Sequence, residues 1–278
     1  MKNSYVLKTI ITRLLIACVV FVLSGASLSA QQIKPHAAIY EVRLGRAIGA
    51  DGPAGLGGTM VYVVDDVCDG FEQSSSLDVS ILDRQGRQSN LRQSFTSFEA
   101  KDGTRSDFRM QIASSGQIVD QYQGQVEIGE DGGRMTCNRE VEANSEGKDA
   151  SYDLKPGAQL SLNYTAEVVN SALKGTRFIS RVVADGLLED GPTRISAVVG
   201  NRNTNNLDIN DPDGLLTGPA WPVQLAYYPT SSSDELPSQE MRVELYEGGI
   251  VGKIDQNMGG YSVLTTLIDL QAAKSCQD

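Results

Sequence analysis

The chain has 278 residues, with 24 Lys and Arg against 35 Asp and Glu and a formal net charge of −11 at pH 7. This acidic balance favours solubility and argues against binding nucleic acid or anionic lipid headgroups through a basic surface. His36 is the only histidine, so a zinc site would lack its usual ligands and histidine-dependent catalysis would depend on this one residue.

The first thirty residues have the order of segments that is typical of a secretory signal peptide. Three basic residues (Lys2, Lys8 and Arg13) precede an apolar run over residues 14–23, and small residues follow it. The run is about ten residues long, whereas a helix that crosses a bilayer needs about twenty. We therefore expect a cleavable signal peptide over residues 1–30, with an uncleaved anchor as the alternative.

Removal of this segment leaves residues 31–278, which we expect to form a single exported β-domain. Cleavage after Ala30 is expected, and cleavage after Ser29 is the close alternative. The segment contains three Lys and Arg and no Asp or Glu, so its loss changes the net charge from −11 to −14. No second hydrophobic stretch approaches membrane length, so we expect no membrane span after processing.

A lipidated N-terminus is a rival interpretation, because residues 15–18 (LIAC) resemble a lipobox that would end at Cys18. Arg13 lies only five residues upstream, and the apolar run continues beyond the cysteine. Both features favour the cleavable signal peptide. Mass spectrometry of the mature N-terminus would distinguish the two.

Three cysteines remain in the mature chain, namely Cys68, Cys137 and Cys276. An exported protein meets oxidising conditions, so a structural disulfide is the default expectation. There is no C-x-x-C motif, which argues further against a metal site. Spacing alone does not say which two cysteines pair.

Short segments in which apolar and polar residues alternate recur about every ten residues, and turns rich in Gly, Asp and Ser separate them. This pattern predicts an all-β protein built as an antiparallel meander. The predicted strands cover residues 39–44, 59–64, 77–82, 95–99, 107–112, 125–128, 177–184, 194–200, 223–228, 241–246, 250–255 and 261–267.

One short central helix interrupts the strands. Residues 166–175 have helical spacing, with Thr165 as the expected cap and Gly175 as the stop. Residues 201–219 are polar and aperiodic, which predicts a long solvated loop. Ile209 occupies the first ligand position of a possible EF-hand there, and Ala220 occupies the last, so that calcium motif is excluded.

Catalysis finds little support in the sequence. His36 lies close to the mature N-terminus, and no G-x-S-x-G nucleophile motif occurs. Pairs of carboxylates are common in an acidic chain, so a glycan hydrolase that uses two of them is the enzyme alternative. We expect a protein that is not an enzyme and has no catalytic residue, metal or cofactor.

Aromatic side chains are the candidates for a binding surface. Trp221, the only tryptophan, could line a concave apolar surface for a lipid or a peptide together with four others: Tyr62, Phe71, Tyr246 and Tyr261. The alternative is that these residues form the aromatic core of a curved sheet.

An ordered set of short motifs spans nearly the whole mature chain and resembles the cell-envelope-integrity protein B (EipB) family. The motifs cover residues 35–44, 58–62, 66–71, 97–103, 183–186, 225–228, 237–240 and 248–250, together with Cys276. Two features depart from the family pattern. Phe71 stands where the family usually has tryptophan, and residues 160–165 lack the expected Phe-Pro-Thr and histidine.

The resemblance implies a non-enzymatic periplasmic protein of Gram-negative bacteria that supports cell-envelope integrity and resistance to stress. It implies a spiral-like, open barrel of antiparallel strands, related in shape to the lipoprotein carriers of the same compartment. It implies a disulfide between Cys68 and Cys276, with Cys137 outside the pattern. The entropy of the unfolded chain favours such a pair, since closing a loop of about 200 residues stabilises a fold by up to about 5 kcal/mol.

The resemblance also implies a periplasmic protein partner, for which a helical-repeat scaffold is a candidate. The alternative function is a binding module for a lipid, a lipoprotein or a peptidoglycan fragment. Lipid that copurifies with the periplasmic protein would favour the binding module.

Overall fold

The computed structural model describes residues 33–47, 52–141, 148–186, 191–204, 207–231 and 236–276. The predicted signal peptide, its cleavage site and Cys18 lie outside the described residues. Gln31–Asp278 group into one compact unit. Among the described residues, no helix combines the length and the apolar character needed to cross a membrane.

The described part of the chain contains fourteen strands and one α-helix. Eight strands precede the helix: β1 (His36–Ala47), β2 (Gly55–Asp66), β3 (Gly70–Leu82), β4 (Gln88–Ala100), β5 (Arg105–Ser114), β6 (Gln117–Gly129), β7 (Gly132–Val141) and β8 (Lys148–Leu154). The helix is α1 (Ser161–Leu173). Six strands follow: β9 (Phe178–Val183), β10 (Thr193–Val199), β11 (Ala220–Pro229), β12 (Gln239–Tyr246), β13 (Val251–Asn257) and β14 (Tyr261–Ala272).

All fourteen strands belong to one antiparallel sheet, in the order β8-β7-β6-β5-β4-β3-β2-β1-β14-β13-β12-β11-β10-β9. The first strand lies in the middle of the sheet, where Tyr40 is paired with Met60 on one side and with Leu267 on the other. The edge strands β8 and β9 do not pair with each other. The predicted all-β, open antiparallel architecture with a short central helix is therefore confirmed.

The sheet is curled, because residues from its two edges share one core. Leu154 of β8 and Val182 of β9 lie in the same hydrophobic cluster as Phe108 of β5. Gln159 bridges the gap, since its N–H donates to the Val182 carbonyl at 2.9 Å and its own carbonyl accepts the Ala184 N–H at 2.9 Å. The loop after β8 thus joins one edge of the curled sheet to the other.

The helix lies against the second half of the sheet and buries one face there. Tyr164, Val168, Val169 and Ala172 pack in a cluster with side chains of β9, β10, β11 and β12. Helix α1 begins at Ser161, so the predicted start near Ala166 is wrong. Thr165 is not the cap but lies within the first turns, where its hydroxyl donates to the Ser161 carbonyl at 3.0 Å.

The loop that precedes β11 is less solvated than its polar sequence predicts. Four of its apolar residues pack against a core cluster that contains Tyr40 and Tyr246; they are Leu207, Ile209, Leu215 and Leu216. Asp211 stabilises the turn, because its carboxylate accepts the N–H groups of Leu215 at 2.9 Å and Leu216 at 3.0 Å. The acidic side chain here shapes the loop, and nowhere in the described ranges do three His, Cys, Asp or Glu residues form a group that could hold a metal ion.

Candidate functional site

Cys68 and Cys276 form a disulfide, with their Cα atoms 4.9 Å apart and a sequence separation of 208. Cys68 lies in the turn between β2 and β3 and has a positive φ of 76°. The bond fastens this turn to the segment that follows β14, as the family resemblance implies. Cys137 is a free, half-buried thiol on β7.

Hydrogen bonds reinforce the attachment of the C-terminal segment to β2. The Asp66 N–H donates to the Lys274 carbonyl at 2.9 Å, and the Lys274 N–H donates to the Asp65 carboxylate at 2.9 Å. Lys101 Nζ lies 2.7 Å from the Asp66 carboxylate. Desolvation opposes ionisation of Asp66, but hydrogen bonds from Lys101 and from the Cys68 N–H outweigh it and hold the pKa below its ordinary value.

A chain of buried polar side chains lies inside the curl near this end. Tyr62 of β2 donates to Gln73 Oε1 at 2.8 Å. Gln73 Nε2 in turn lies 3.0 Å from Ser97 Oγ and 2.9 Å from Glu99 Oε1, both of which it contacts as a donor. Three neighbouring strands are therefore joined through their inward-facing polar groups, which are satisfied as buried polar groups must be.

Glu99 connects this network to the helix. It is only 3% exposed, and its carboxylate accepts hydrogen bonds from Ser161 Oγ and from the Leu162 N–H, the latter at 3.0 Å. A carboxylate is favoured at a helix N-terminus, where the first N–H groups lack partners within the helix. Burial nevertheless raises the pKa of Glu99, and the nearby Asp185 raises it further, against the lowering effect of these hydrogen bonds.

His36 is held as a structural residue in the same region. It is 1% exposed, and its Nδ1 lies 2.7 Å from the Lys34 carbonyl, so Nδ1–H is the donor. Its ring lies 5.6 Å from the Tyr62 ring between centroids. Burial lowers its pKa below the ordinary 6.5, so the imidazole is neutral at pH 7.

The five aromatic residues predicted for binding occupy different parts of the molecule. Tyr62 and Tyr246 share one cluster, and Tyr62 also shares a second with Phe71. Trp221 is 4% exposed and packs in the helix-facing cluster instead. Tyr261 lies beside Gly52 and belongs to none of these clusters. The structure thus does not bring the five onto one surface, and their role in binding stays a prediction.

A broad depression lies on the outer face of the sheet, opposite the core. Its volume is about 700 Å³, and side chains of β5, β6, β7 and β8 line it. A smaller depression of about 360 Å³ adjoins it and shares Gln123 and Asn138. Sequence analysis missed this surface, although the alternation of Gln121, Gln123 and Gln125 along β6 is a signal of it.

Residues 27–274 match the family model described as EipB-like. The cell envelope integrity protein EipB of Brucella abortus (strain 2308) is 27% identical over 252 residues, which cover 89% of this chain and 87% of that protein. A crystal structure of a beta-barrel-like protein of domain of unknown function DUF1849 from Brucella abortus has a TM-score of 0.75 at 23% identity, covering 87% of this chain and 99% of that one. The structural similarity supports the fold, and the first two similarities extend over most of the chain. The chain therefore belongs to the EipB-like family.

Proposed function

We propose that this chain is a non-enzymatic protein of the Gram-negative periplasm that supports cell-envelope integrity by binding another periplasmic protein. The observation that carries the proposal is the similarity over 89% of the chain to a protein named for cell envelope integrity. The leader pattern of residues 1–30 and the disulfide support export, because disulfides persist in oxidising compartments.

A role in binding rather than catalysis is supported by how the buried ionisable groups are used. Both oxygens of the Glu99 carboxylate accept hydrogen bonds that hold the helix and β3 in place. His36 is neutral and its Nδ1–H is committed to a backbone carbonyl. A general acid or base must reach its substrate, and these groups are enclosed by the fold.

An apolar pair on the outer face supports a protein partner. Phe178 of β9 is 62% exposed, Val198 of β10 is 53% exposed, and the two are paired directly across the strands. Phe178 lies on β9, an edge strand of the sheet, and Val198 lies on the strand next to it. Contiguous exposed apolar residues are typical of protein interaction sites, and an exposed aromatic side chain is a common anchor.

The test is complementation of a strain that lacks the gene, with survival in detergent as the measurement. We expect the full chain to restore survival and a variant without residues 1–30 to fail. We expect Phe178→Ser to fold, to be exported and to lose complementation, while Ile118→Ser, an exposed apolar position on β6, serves as the matched control.

A site-specific crosslinker at position 178 would then identify the protein that contacts this surface. We expect a partner protein to be captured by the chain with the crosslinker at position 178 and not by the chain with the crosslinker at position 118. Full complementation by the variant without residues 1–30 would contradict the periplasmic role, and full complementation by Phe178→Ser would contradict the proposed contact surface.

A further inference from the structure

The outer face of β4 to β8 carries two parallel rows of polar side chains. The central row consists of consecutive register partners on five strands: Thr96, Arg109, Gln123, Asn138 and Asp149. The flanking row runs across four strands: Asp107, Gln125, Thr136 and Ser151. We call the depression between the rows the outer trough. Four strands about 4.8 Å apart make it about 14 Å long.

The floor of the outer trough is formed by the backbone of residues whose side chains belong to the inner face. These are Phe108, Gly124, Cys137 and Ala150, which are also register partners of one another. Gly124 has no room for a side chain on that inner face, since a Cβ atom would lie 2.0 Å from the Thr136 carbonyl oxygen and 2.5 Å from the Phe108 ring. The outward side chains of the two rows rise on either side of this floor and leave a depression between them.

Hydrogen bonds within the central row orient two side-chain amides. Arg109 Nη2 donates to Gln123 Oε1 at 2.7 Å, and Asn138 Nδ2 donates to Asp149 Oδ1 at 2.8 Å. The Gln123 amide nitrogen is left as a donor, and Asn138 Oδ1 is left as an acceptor on the neighbouring strand. A hydroxyl group both donates and accepts, so this adjacent pair matches one hydroxyl.

The flanking row adds hydrogen-bonding groups that no protein side chain occupies. Within the described ranges, Gln125, Thr136 and Ser151 make no side-chain hydrogen bond to another residue, and each is exposed. Their amide and hydroxyl groups face the same trough from the side opposite the central row. A ligand there can therefore form hydrogen bonds along both of its edges.

The lining disfavours anionic and apolar ligands. Asp107 and Asp149 flank the trough, and the whole chain has a net charge of −11, so an anionic ligand is disfavoured. The side chains of both rows are polar, so an acyl chain would leave their groups unpaired. An uncharged ligand with many hydroxyl groups satisfies both conditions.

We propose that the outer trough binds a short segment of a glycan strand, the polyhydroxyl class of polymer to which peptidoglycan belongs. The proposal deepens the envelope role and rests on it only for where the chain would meet such a polymer. Binding to the isolated glycan depends on the trough alone. The trough is also separate from the apolar pair at β9 and β10, so both surfaces can be occupied together.

The test uses the mature protein and chitotetraose, a neutral tetramer of N-acetylglucosamine, in a calorimetric titration. Gln123→Glu keeps the length of the side chain but replaces its remaining donors with a carboxylate. We expect it to weaken binding at least tenfold, and Asn138→Leu to do the same by removing the acceptor. Ser76→Ala, at an exposed outer position on β3 outside the trough, should bind within twofold of the wild type.

Three results would overturn the proposal, and two of them concern chitotetraose. One is no binding of chitotetraose by the wild-type chain, and the other is equal binding by the wild type and Gln123→Glu with both folded. Salt-sensitive binding of tetralysine in place of the sugar would also overturn it, since it would assign the trough to a basic peptide. None of these results bears on complementation in cells, so a failure here is distinguishable from a failure of the envelope role.

Discussion

Glu99 of β4 accepts the N–H of Leu162 at 3.0 Å across 63 residues of sequence and so caps a helix from a distant strand. The helix supplies no side-chain cap of its own and has no acidic residue in its first turn. The same carboxylate also accepts Gln73 Nε2 from β3. The start of the helix is therefore fixed by a buried side chain of the sheet, while the apolar face of the helix packs against β9 to β12.

Replacement of Glu99 by Ala should destabilise the fold strongly. It removes the acceptor for Gln73 Nε2, Ser161 Oγ and the Leu162 N–H, and each buried group left unsatisfied costs about 1–3 kcal/mol. We expect the free energy of unfolding in urea to fall by about 3 kcal/mol or more. Glu99→Gln keeps one carbonyl acceptor and should cost less. A loss below about 1 kcal/mol for Glu99→Ala would contradict the capping role.

The contribution of Glu99 should also depend on pH in a defined direction. Burial raises its folded-state pKa above the ordinary value of 4.5, and Asp185 acts in the same sense. The folded state therefore binds the proton of Glu99 more tightly than the unfolded state does. The stability that comes from this tighter binding is complete below pH 4.5 and is lost as the pH rises through the folded-state pKa.

The measurement is the difference in unfolding free energy between the wild type and Glu99→Gln across that pH range. Glutamine does not titrate, so the pH dependence of the other carboxyl groups cancels in the difference. The stability of the wild type relative to the variant should decrease as the pH rises. An increase would show that the hydrogen bonds to Ser161 and Leu162 outweigh burial and lower the pKa instead.

The disulfide should contribute a large share of the stability. Cys68 and Cys276 are 208 residues apart, and cross-linking a loop of this length restricts the unfolded chain by up to about 5 kcal/mol. We expect Cys68→Ser and Cys276→Ser to lower the melting temperature alike, and dithiothreitol to lower that of the wild type to the same value. Cys137→Ser should leave it nearly unchanged. Unequal effects of the two single variants would mean that one of the cysteines has a second role.

The strands could be predicted from the sequence because each has a buried face and an exposed face along a local repeat. The start of the helix could not, since Thr165 has the chemistry of a cap while the actual cap, Glu99, belongs to another strand. The packing of the loop before β11 could not be predicted for a similar reason. Its Asp and Asn residues dominate the composition, whereas Leu215 and Leu216 decide where it packs.

The outer trough could not be predicted from the sequence, because its prediction requires the register of the strands. Gln123 and Asn138 are fifteen positions apart in the sequence, and only the pairing of β6 with β7 places them side by side. The aromatic residues differ from the trough, because their residue type suggests a binding role that their position in the fold does not support. Trp221 and Tyr246 look like binding residues by type, but their burial depends on which face of β11 and β12 meets the core.

The contact between Gly186 and Phe108 offers a test of the curl itself. Gly186 follows β9 and has a φ of +67°, and a Cβ atom there would lie 2.3 Å from the Phe108 ring of β5. Gly157 provides the matched control, since its φ is +87° but no atom lies within 4 Å of its Cβ position.

Alanine in a left-handed conformation costs about 1–2 kcal/mol at either site. If the edge of the sheet packs onto β5, overpacking adds to the backbone strain at Gly186 only. The free energy of unfolding in urea should then fall by about 1–3 kcal/mol more for Gly186→Ala than for Gly157→Ala. Equal losses would mean that β5 and the segment after β9 are not in contact, and the curl would then be wider in solution.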